Sequence, residues 1–495
     1  MKMQILKTGN GVKVYYIIMK RGKVMKKQFK LLCLVMIFAL VLSATGCVGT
    51  KVGQDDGRDE NGNLHFSVGG SPVERTEKNA KTYDLFQENK AKFEAANPGV
   101  IVDADSWSYD LKNYMTKAEG GDLPTMYITS PTEVKNIVEN GYAADITDLV
   151  KKYGYDKMLN NEKYGKLYMK DGKYFALIKD GTLYDMGIAY NIDLFKKADL
   201  LDENGVPKFP QTWDEFAETA KTIKEKTGKA GFAIASKNNH GGWHFMNIMW
   251  AFGAEFMENK DGKWVATFAS EEGVKALQYI KDLKWKYNVL QDELLADIQV
   301  GGRLLATGEA GMIITQRAML DQYIDKYGLK ANNVAMSKMP AGPAGRFTQV
   351  GAEIWMFSGT EEQNEQCFKW LEFLGKGASV TDATKEQWAK NYEIKKDKGH
   401  IVGIRGANLW LNDERVNAEN EAMEPFRTVE NKFFDDYVNG EGVEYMFEPE
   451  RCVQQLYAAL DNAIQTVLMD QNADCKAVLE KTQADFQTNF LDKEA

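Results

Sequence analysis

The feature that most constrains the fold is an alternation, from residue 64 onward, of short apolar runs with segments of helical period. Residues 64–68 form the first apolar run, and a helical period over 82–96 follows it and ends at Asn-Pro-Gly. Further strand-like runs occur at 100–102, 125–129, 232–235 and 311–315. Strands that alternate with helices are typical of α/β domains. We therefore expect the α/β class.

The clearest helix signal is the stretch TWDEF at residues 212–216. Thr212 and Glu215 have the spacing of a capping box, in which each side chain accepts a hydrogen bond from a free backbone N–H at the helix start. Apolar residues then recur at helical spacing, and Gly228 can end the helix in the left-handed conformation. The pattern predicts that Trp213 packs in the core.

The amino-terminal segment contains an uncharged apolar run, residues 31–42, directly after three lysines. The run is shorter than the roughly 20 residues needed to cross a bilayer, which favours a signal peptide over a membrane span. Small residues follow and then Cys47, so that LSATGC at 42–47 resembles a bacterial lipobox. The resemblance implies a diacylglyceryl thioether on Cys47 and cleavage before it.

This interpretation divides the start of the chain into two parts. Residues 1–46 are expected to be a signal peptide, whose start could also be Met25, and residues 47–63 are expected to be a polar tether. The protein is then anchored by its lipid to the outer face of the cytoplasmic membrane. Stable attachment needs two acyl chains or a second signal, because each buried methylene contributes only about 0.8 kcal/mol.

The charge balance excludes one class of function. All 71 acidic residues follow residue 54, whereas nine of the 62 basic residues precede residue 31. The chain from Cys47 onward therefore carries about −18, which argues against nucleic acid as a partner. Three cysteines remain after Cys33 and Cys47, so the chain has no disulfide framework, although Cys452 and Cys475 could pair.

Several motifs, in order along the chain, resemble one family. They are FEAANPGV (93–100), GKYFAL (172–177), AYNIDLF (189–195), PQTWDEF (210–216), GEAGM (308–312) and FKWLEFL (368–374). Together they are similar to the extracytoplasmic solute-binding proteins of ABC transporters, in the group that contains maltose-binding protein. The similarity covers nearly the whole chain after the tether.

The resemblance implies a two-lobed periplasmic-binding-protein fold of the hinge-closing type, with three crossovers near 181–187, 340–350 and 398–405. The first lobe would contain residues 64–183 and 345–400, and the second lobe residues 184–344 and 401–495. A solute would bind in the cleft between the lobes and stabilise a closed state that ABC permease subunits recognise. No cofactor is implied, and the protein is expected to be a monomer.

Carbohydrate is the favoured solute, and an oligosaccharide is favoured over a monosaccharide because aromatic candidates occur in both expected lobes. Sugar rings stack on aromatic side chains, and sugar hydroxyls need both donors and acceptors. Side chains of these types occur in loops that follow predicted strands or lie near the expected crossovers. The candidate ligand-binding residues are Ser71, Trp107, Asp180, Tyr184, His240, Trp243, Gln316, Glu353 and Trp410.

Two alternatives stay open from the sequence. The same fold could bind a peptide, an amino acid or another small solute. For an amino acid, Arg317 or Arg405 would have to clamp the carboxylate. A surface polysaccharide hydrolase could use paired carboxylates, but no nucleophile elbow or phosphate-binding loop is present. His240 and His244 have the spacing of two metal ligands, yet no zinc motif surrounds them, so neither an enzyme nor a metal site is predicted.

Overall fold

The computed structural model describes residues 56–110, 113–181 and 183–493. The signal peptide, the lipidation site Cys47 and most of the tether lie outside the described residues, as does the side chain of Asp180. In the part of the chain that is described, no helix is long and apolar enough to cross a membrane.

The strands of the described residues form two large sheets and two small hairpins. They are β1 (Leu64–Gly69), β2 (Val100–Asp105), β3 (Met126–Thr129), β4 (Met169–Lys170), β5 (Lys173–Tyr174), β6 (Ala176–Ile178), β7 (Tyr184–Asn191), β8 (Ala230–Ala233), β9 (Met257–Lys260), β10 (Lys263–Ala266), β11 (Ala310–Gln316), β12 (Val334–Lys338), β13 (Arg346–Gly351), β14 (Ile354–Phe357) and β15 (Val443–Met446).

The α-helices cover the sheets and connect their strands. They are α1 (Ala80–Ala96), α2 (Tyr114–Glu119), α3 (Val134–Glu139), α4 (Thr147–Lys152), α5 (Tyr155–Met158), α6 (Asn161–Tyr164), α7 (Ile192–Lys197), α8 (Trp213–Thr227), α9 (His240–Phe252), α10 (Glu271–Trp285), α11 (Ile298–Ala306), α12 (Arg317–Tyr327), α13 (Glu361–Phe373), α14 (Asp382–Asp397), α15 (Asp413–Met423), α16 (Asp435–Asn439), α17 (Val453–Met469) and α18 (Cys475–Asn489).

The first lobe is built on a sheet of order β2-β1-β3-β14-β6. β1 is parallel to β2 and β3, and β14 runs antiparallel to β3 and β6. Phe66 and Val102 point into a core in which Phe93 of α1 packs edge-on against Phe66, with ring centroids 6.0 Å apart. The predicted first helix and first three strands are confirmed to within a few residues.

The second lobe is built on a sheet of order β15-β13-β7-β11-β8, to which β12 adds by pairing with β7. β8 and β11 are parallel, and β7 runs antiparallel to β11, β12 and β13. Two buried clusters of apolar side chains are associated with this lobe. The α/β class and the two-lobed fold are therefore as expected.

The division of the chain between the lobes differs in detail from the expected boundaries. β13 follows residue 345, where the first lobe was expected to resume, but it pairs with β7 and β15 of the second sheet. Ile401 and Ile404 pack with the second lobe, whereas Leu409 and Trp410 return to the first core. The chain thus passes between the lobes again after the third expected crossover. These contacts join residues far apart in sequence, which local patterns do not reveal.

The start of α8 shows how the local sequence determines structure. Thr212 Oγ1 accepts a hydrogen bond from the backbone N–H of Glu215 at 3.2 Å, as predicted. The Glu215 carboxylate accepts from the N–H of Gln211 at 2.8 Å, so the reciprocal bond goes to the residue before the expected one. Trp213 is 1 % exposed in the core of the second lobe, and Gly228 ends the helix with φ 72°. Both predictions are confirmed.

Candidate functional site

A cleft of about 1150 Å³ lies at the carboxyl ends of strands from both sheets. On the first lobe it is lined by residues that follow β1, β2 and β3, and on the second lobe by residues that follow β8 and β11. This is where ligands bind in open α/β sheets. The volume is slightly above the range of about 300–1000 Å³ usual for small-molecule sites, so the cleft can accept a solute of several rings.

The first lobe contributes an aromatic wall, which we define as Trp107, Tyr109, Tyr114 and Tyr127. The rings of Trp107 and Tyr127 meet edge-on at 5.5 Å, and those of Tyr109 and Tyr114 lie 5.2 Å apart. The Tyr109 hydroxyl donates to Glu133 Oε2 at 2.9 Å, and burial together with this carboxylate raises the pKa of Tyr109. Trp107 and Tyr109 line the cleft and are only partly buried. Because the cluster fixes both rings, they form a rigid surface.

The second lobe contributes the loop before α9. Asn238 and Asn239 both have left-handed backbone angles, φ 60° and 69°, a conformation that asparagine tolerates better than most residues. Asp461 of α17 accepts the backbone N–H groups of Asn239 and Gly242, each at 2.7 Å. A Cβ on Gly242 would approach the backbone oxygen of Tyr457 to 2.3 Å. The glycine thus lets α9 start against α17, which brings Asn238 and Asn239 to the cleft.

Two histidines and a tryptophan on the first turns of α9 differ in their surroundings. His240 and Trp243 line the cleft, whereas His244 is buried beneath them. Burial lowers the pKa of His240 and, with a smaller effect of His240 itself, lowers the pKa of His244 to about 3. Both shifts favour the neutral imidazole, and of the two only His240 lines the cleft, where a neutral ring can donate or accept a hydrogen bond.

Gln316 and its neighbour Arg317 lie where β11 ends, and both line the cleft. Arg317 Nη1 donates to Asp321 Oδ2 and to the carbonyl of Ile401, both at 3.1 Å. These bonds fix the guanidinium to the segment that leads from α14 into the second lobe. Arg317 therefore helps to hold the chain after α14 against the second lobe, a role that the sequence does not reveal.

Beside two of the connections between the lobes, Lys179 and Glu353 face each other. Lys179 Nζ lies 2.6 Å from Glu353 Oε2, and the backbone of Lys179 also donates to the Glu353 carbonyl. Both residues line the cleft, together with Tyr184 at the start of β7. Nearly half of the Glu353 side chain is exposed, so its carboxylate is accessible from the cleft.

A polar network on the second lobe was missed by the sequence analysis. Tyr457 donates its hydroxyl to Glu448 and accepts a hydrogen bond from Gln349 Nε2 at 3.1 Å. Burial, with a smaller contribution from the charge of Glu133, raises the pKa of Glu448 to about 7 in spite of the Tyr457 bond. The Gln349 side-chain oxygen is buried without a hydrogen-bond partner. Gln349 could have been predicted to lie near the cleft, because it precedes the segment Gly351-Ala352-Glu353 by two residues. No local sequence pattern indicates such a position for Tyr457.

The structure brings together at the cleft six of the nine candidate residues: Trp107, Tyr184, His240, Trp243, Gln316 and Glu353. Ser71 is buried next to Gly70, and its backbone N–H donates to Asp105. Trp410 is 5 % exposed in the first core, where its ring lies 4.3 Å from the Arg415 guanidinium. Neither of these two lines the cleft, and the Asp180 side chain lies outside the described residues.

Comparison with known proteins agrees with this architecture. The family profile described as bacterial extracellular solute-binding protein matches residues 77–376, which is more than half of the chain. A binding protein of Brucella abortus is 28 % identical over 316 residues, which are 60 % of this chain and 70 % of the relative. The diacetylchitobiose binding protein DasA of Streptomyces coelicolor is 24 % identical over 291 residues, 58 % of this chain and 63 % of the relative.

Among solved structures, the cyclic alpha-maltosyl-1,6-maltose binding protein of Arthrobacter globiformis superposes with a TM-score of 0.60 at 19 % identity. The superposition covers 86 % of this chain and 99 % of that protein. At this level of identity the similarity establishes the two-lobed fold.

Proposed function

Because this chain belongs to the bacterial extracellular solute-binding protein family, we propose that it captures an oligosaccharide in the interlobe cleft and delivers it to an ABC importer. The family consists of binding proteins rather than enzymes, in agreement with the prediction from the sequence.

The observation that carries the carbohydrate proposal is the placement of Trp107 and Trp243 on different lobes of one cleft. Each ring can stack on the apolar face of a sugar, and Gln316, Glu353 and His240 supply hydrogen-bonding groups around them. Aromatic side chains together with hydrogen-bonding groups of fixed orientation suit a polyhydroxylated solute. Two relatives with sugar-binding names, DasA and the Arthrobacter protein, support the same class.

Thermal unfolding of a soluble chain that begins at Lys51 tests the class of solute. A solute at 100 times its dissociation constant adds about 2.7 kcal/mol of stability, which for a body of this size raises the melting temperature by about 3 °C. We expect this shift with one class of oligosaccharide, recovered intact, and no shift with amino acids or peptides. A shift with amino acids or peptides alone would keep the fold and reject the carbohydrate proposal.

Single substitutions test the site. Trp107→Ala and Trp243→Ala are expected to weaken oligosaccharide binding about tenfold or more, because stacking of an aromatic ring contributes on the order of 1.4 kcal/mol. Trp285 provides a matched control, since its indole donates to the Val467 carbonyl away from the cleft. Equal dissociation constants for all three variants, measured by calorimetry, would contradict the proposed site.

We also propose that the lipid on Cys47 holds the mature protein at the outer face of the cytoplasmic membrane. The proposal rests on the LSATGC segment and the short apolar run before it. Cys47→Ser should abolish incorporation of a labelled fatty acid and release the protein from the membrane fraction. Retention of label in the variant would reject Cys47 as the anchor.

A further inference from the structure

The cleft has a charge opposite to that of the molecule. Ten charged side chains line it in the part of the chain that the structure describes, and seven of them are basic. The acidic ones are Glu353, Glu419 and Glu448, whereas the whole chain carries a net charge of −9. A positive cleft in an acidic protein attracts anions and discourages cations, because a concave surface concentrates the field of its own charges.

Three of the basic side chains donate hydrogen bonds to carboxylates of the protein. Lys179 pairs with Glu353, Arg317 with Asp321, and Arg415 with Glu419 at 2.7 Å. Arg415 is 1 % exposed and also donates to the carbonyls of Gly377 and Gly375. These residues therefore belong to the framework of the cleft.

Arg405 is different. Its Nη1 and Nη2 are both buried without a hydrogen-bond partner, although Nη2 lies 3.0 Å from Glu419 Oε2. The Glu419 carboxylate already accepts from Arg415 Nη1 and from the Tyr392 hydroxyl. Two guanidinium groups thus share one carboxylate. A buried donor without an acceptor is unfavourable, and a planar guanidinium matches a carboxylate or another oxyanion with two parallel bonds.

We propose that the solute is an anionic oligosaccharide, whose carboxylate or sulfate group binds to Arg405. This inference rests on the proposed carbohydrate function and specifies the class of sugar. The stacking residues Trp107 and Trp243 would hold the rings, and Arg405 would select for charge. Stacking and charge recognition thus depend on different residues of the same cleft, so the two interactions can be tested separately.

The test compares each anionic oligosaccharide with its own neutral counterpart on the full chain purified in detergent. Uronate oligosaccharides are paired with the same sugars after reduction of the carboxyl groups, and sulfated oligosaccharides with their desulfated forms. We expect at least one anionic sugar to bind about tenfold or more tightly than its neutral partner. Its affinity should fall as sodium chloride rises from about 0.05 to about 0.5 M, because salt screens the charges.

Arg405→Gln should remove most of that difference, weakening the anionic sugar by about 10- to 100-fold and the neutral one by less than about threefold. Arg303→Gln is the matched control: it removes the same charge from an arginine that is half exposed, outside the cleft and 3.8 Å from Glu293. If Arg405→Gln does not fold, Arg405→Lys keeps the charge but loses the planar fork, and the salt dependence of the unaltered protein still tests the proposal.

The outcomes separate the two proposals. Equal or tighter binding of the neutral sugars, with Arg405→Gln unchanged, would overturn the anionic class and leave the carbohydrate function in place. Binding of amino acids or peptides, with no carbohydrate of either charge bound, would overturn both. Tight binding of an anionic sugar that Arg405→Gln does not weaken would overturn the role of Arg405.

Discussion

Two lysine–carboxylate pairs lie beside connections between the lobes, and they differ in burial. Lys338 Nζ is 2.5 Å from Asp185 Oδ2, and these side chains are 3 % and 1 % exposed. Lys179 Nζ is 2.6 Å from Glu353 Oε2, but there the side chains are 23 % and 46 % exposed. The two ion pairs therefore have nearly equal N–O distances, but the Lys338–Asp185 pair is enclosed by protein and the Lys179–Glu353 pair faces the cleft. We call them the enclosed pair and the cleft pair.

The surroundings explain why the two pairs should behave differently. The Tyr437 hydroxyl donates to Asp185 Oδ1 at 2.5 Å, and the Tyr445 hydroxyl lies 3.3 Å from Lys338 Nζ. The enclosed pair thus has its remaining hydrogen-bonding capacity largely used within the protein, as buried charges require. An accessible pair contributes little to stability, but its carboxylate can exchange partners. The enclosed pair should act as a fixed element, and the cleft pair as a group available to the solute.

Lys338→Met is expected to have the largest effect on stability. It leaves the Asp185 carboxylate buried without its cation, which typically costs about 3–5 kcal/mol. Lys179→Met, at the cleft pair, should change the free energy of unfolding by less than about 1 kcal/mol. Urea unfolding of both variants checks the contrast, and similar losses in the two would show that burial does not distinguish the pairs.

The double variant Asp185→Leu/Lys338→Met sharpens the same contrast. Replacing both charges by apolar side chains removes the uncompensated carboxylate, so stability should recover by about 2 kcal/mol or more relative to Lys338→Met. Urea unfolding measures the recovery. A double variant as unstable as the single one would mean that the lysine stem, rather than its charge, matters at this position.

Tyr437→Phe is expected to have an intermediate effect. The substitution removes the hydroxyl that donates to the side chain and the carbonyl of Asp185, while the ring keeps its place in the core. Loss of a buried hydrogen bond to a charged group costs about 1–3 kcal/mol. Tyr445→Phe serves as the comparison, because its hydroxyl contacts Lys338 of the same pair but the residue is only partly buried. Equal losses of unfolding free energy in the two variants would mean that the bond from Tyr437 to Asp185 is not the dominant interaction.

The local part of the fold could be predicted because it depends on neighbouring residues. Thr212, Trp213 and Gly228 determine the start, the buried face and the end of α8 within one stretch of sequence. The membership of β13 in the second sheet could not, since it depends on pairing with β7 and β15, more than 90 residues away on each side. Long-range register is a property of the assembled sheet.

For the candidate site, the difference between Trp107 and Trp410 shows the same limit. Trp107 follows the second predicted strand and Trp410 follows the third expected crossover. Trp410, however, packs on Arg415 and against Gly181, where a Cβ would approach the indole nitrogen to 1.9 Å. Residue type and position after a strand predict which loops reach the cleft. They do not predict which side chain turns inward, because that depends on distant packing partners.

At alkaline pH the two pairs should also differ in how much stability they contribute, but by a smaller amount than the substitutions above. Burial lowers the pKa of Lys338, but Asp185 and Tyr445 together raise it above the ordinary value. A lysine with a raised folded-state pKa contributes stability that is complete below its unfolded pKa, about 10.4, and is lost as pH rises through the folded pKa. The contribution falls by at most about 1.4 kcal/mol per pH unit.

The measurement is urea unfolding between about pH 9 and 11 of the unaltered chain, Lys338→Met and Lys179→Met. Tyrosines titrate in the same range in all three proteins, so the comparison isolates the lysines. Lys338→Met should lose less stability with rising pH than the other two. Parallel curves for all three would contradict the assignment of a raised pKa to the enclosed pair.

Glu353→Gln is expected to have the smallest effect on stability and a clear effect on binding. The substitution keeps the size of the side chain and removes a charge from a pair that is partly open to solvent, so unfolding should change by less than about 1 kcal/mol. If the carboxylate accepts hydrogen bonds from hydroxyl groups of the solute, its loss weakens binding about tenfold or more, since hydrogen bonds to charged groups are strong. Lys179→Met again provides the control, because it breaks the same pair and leaves the carboxylate in place. Weaker binding in Glu353→Gln than in Lys179→Met, measured by calorimetry with one oligosaccharide, would mean that the carboxylate itself contacts the solute. Equal weakening would mean that the pair only shapes the cleft, and the functional distinction between the two pairs would then fail even though their difference in stability remains.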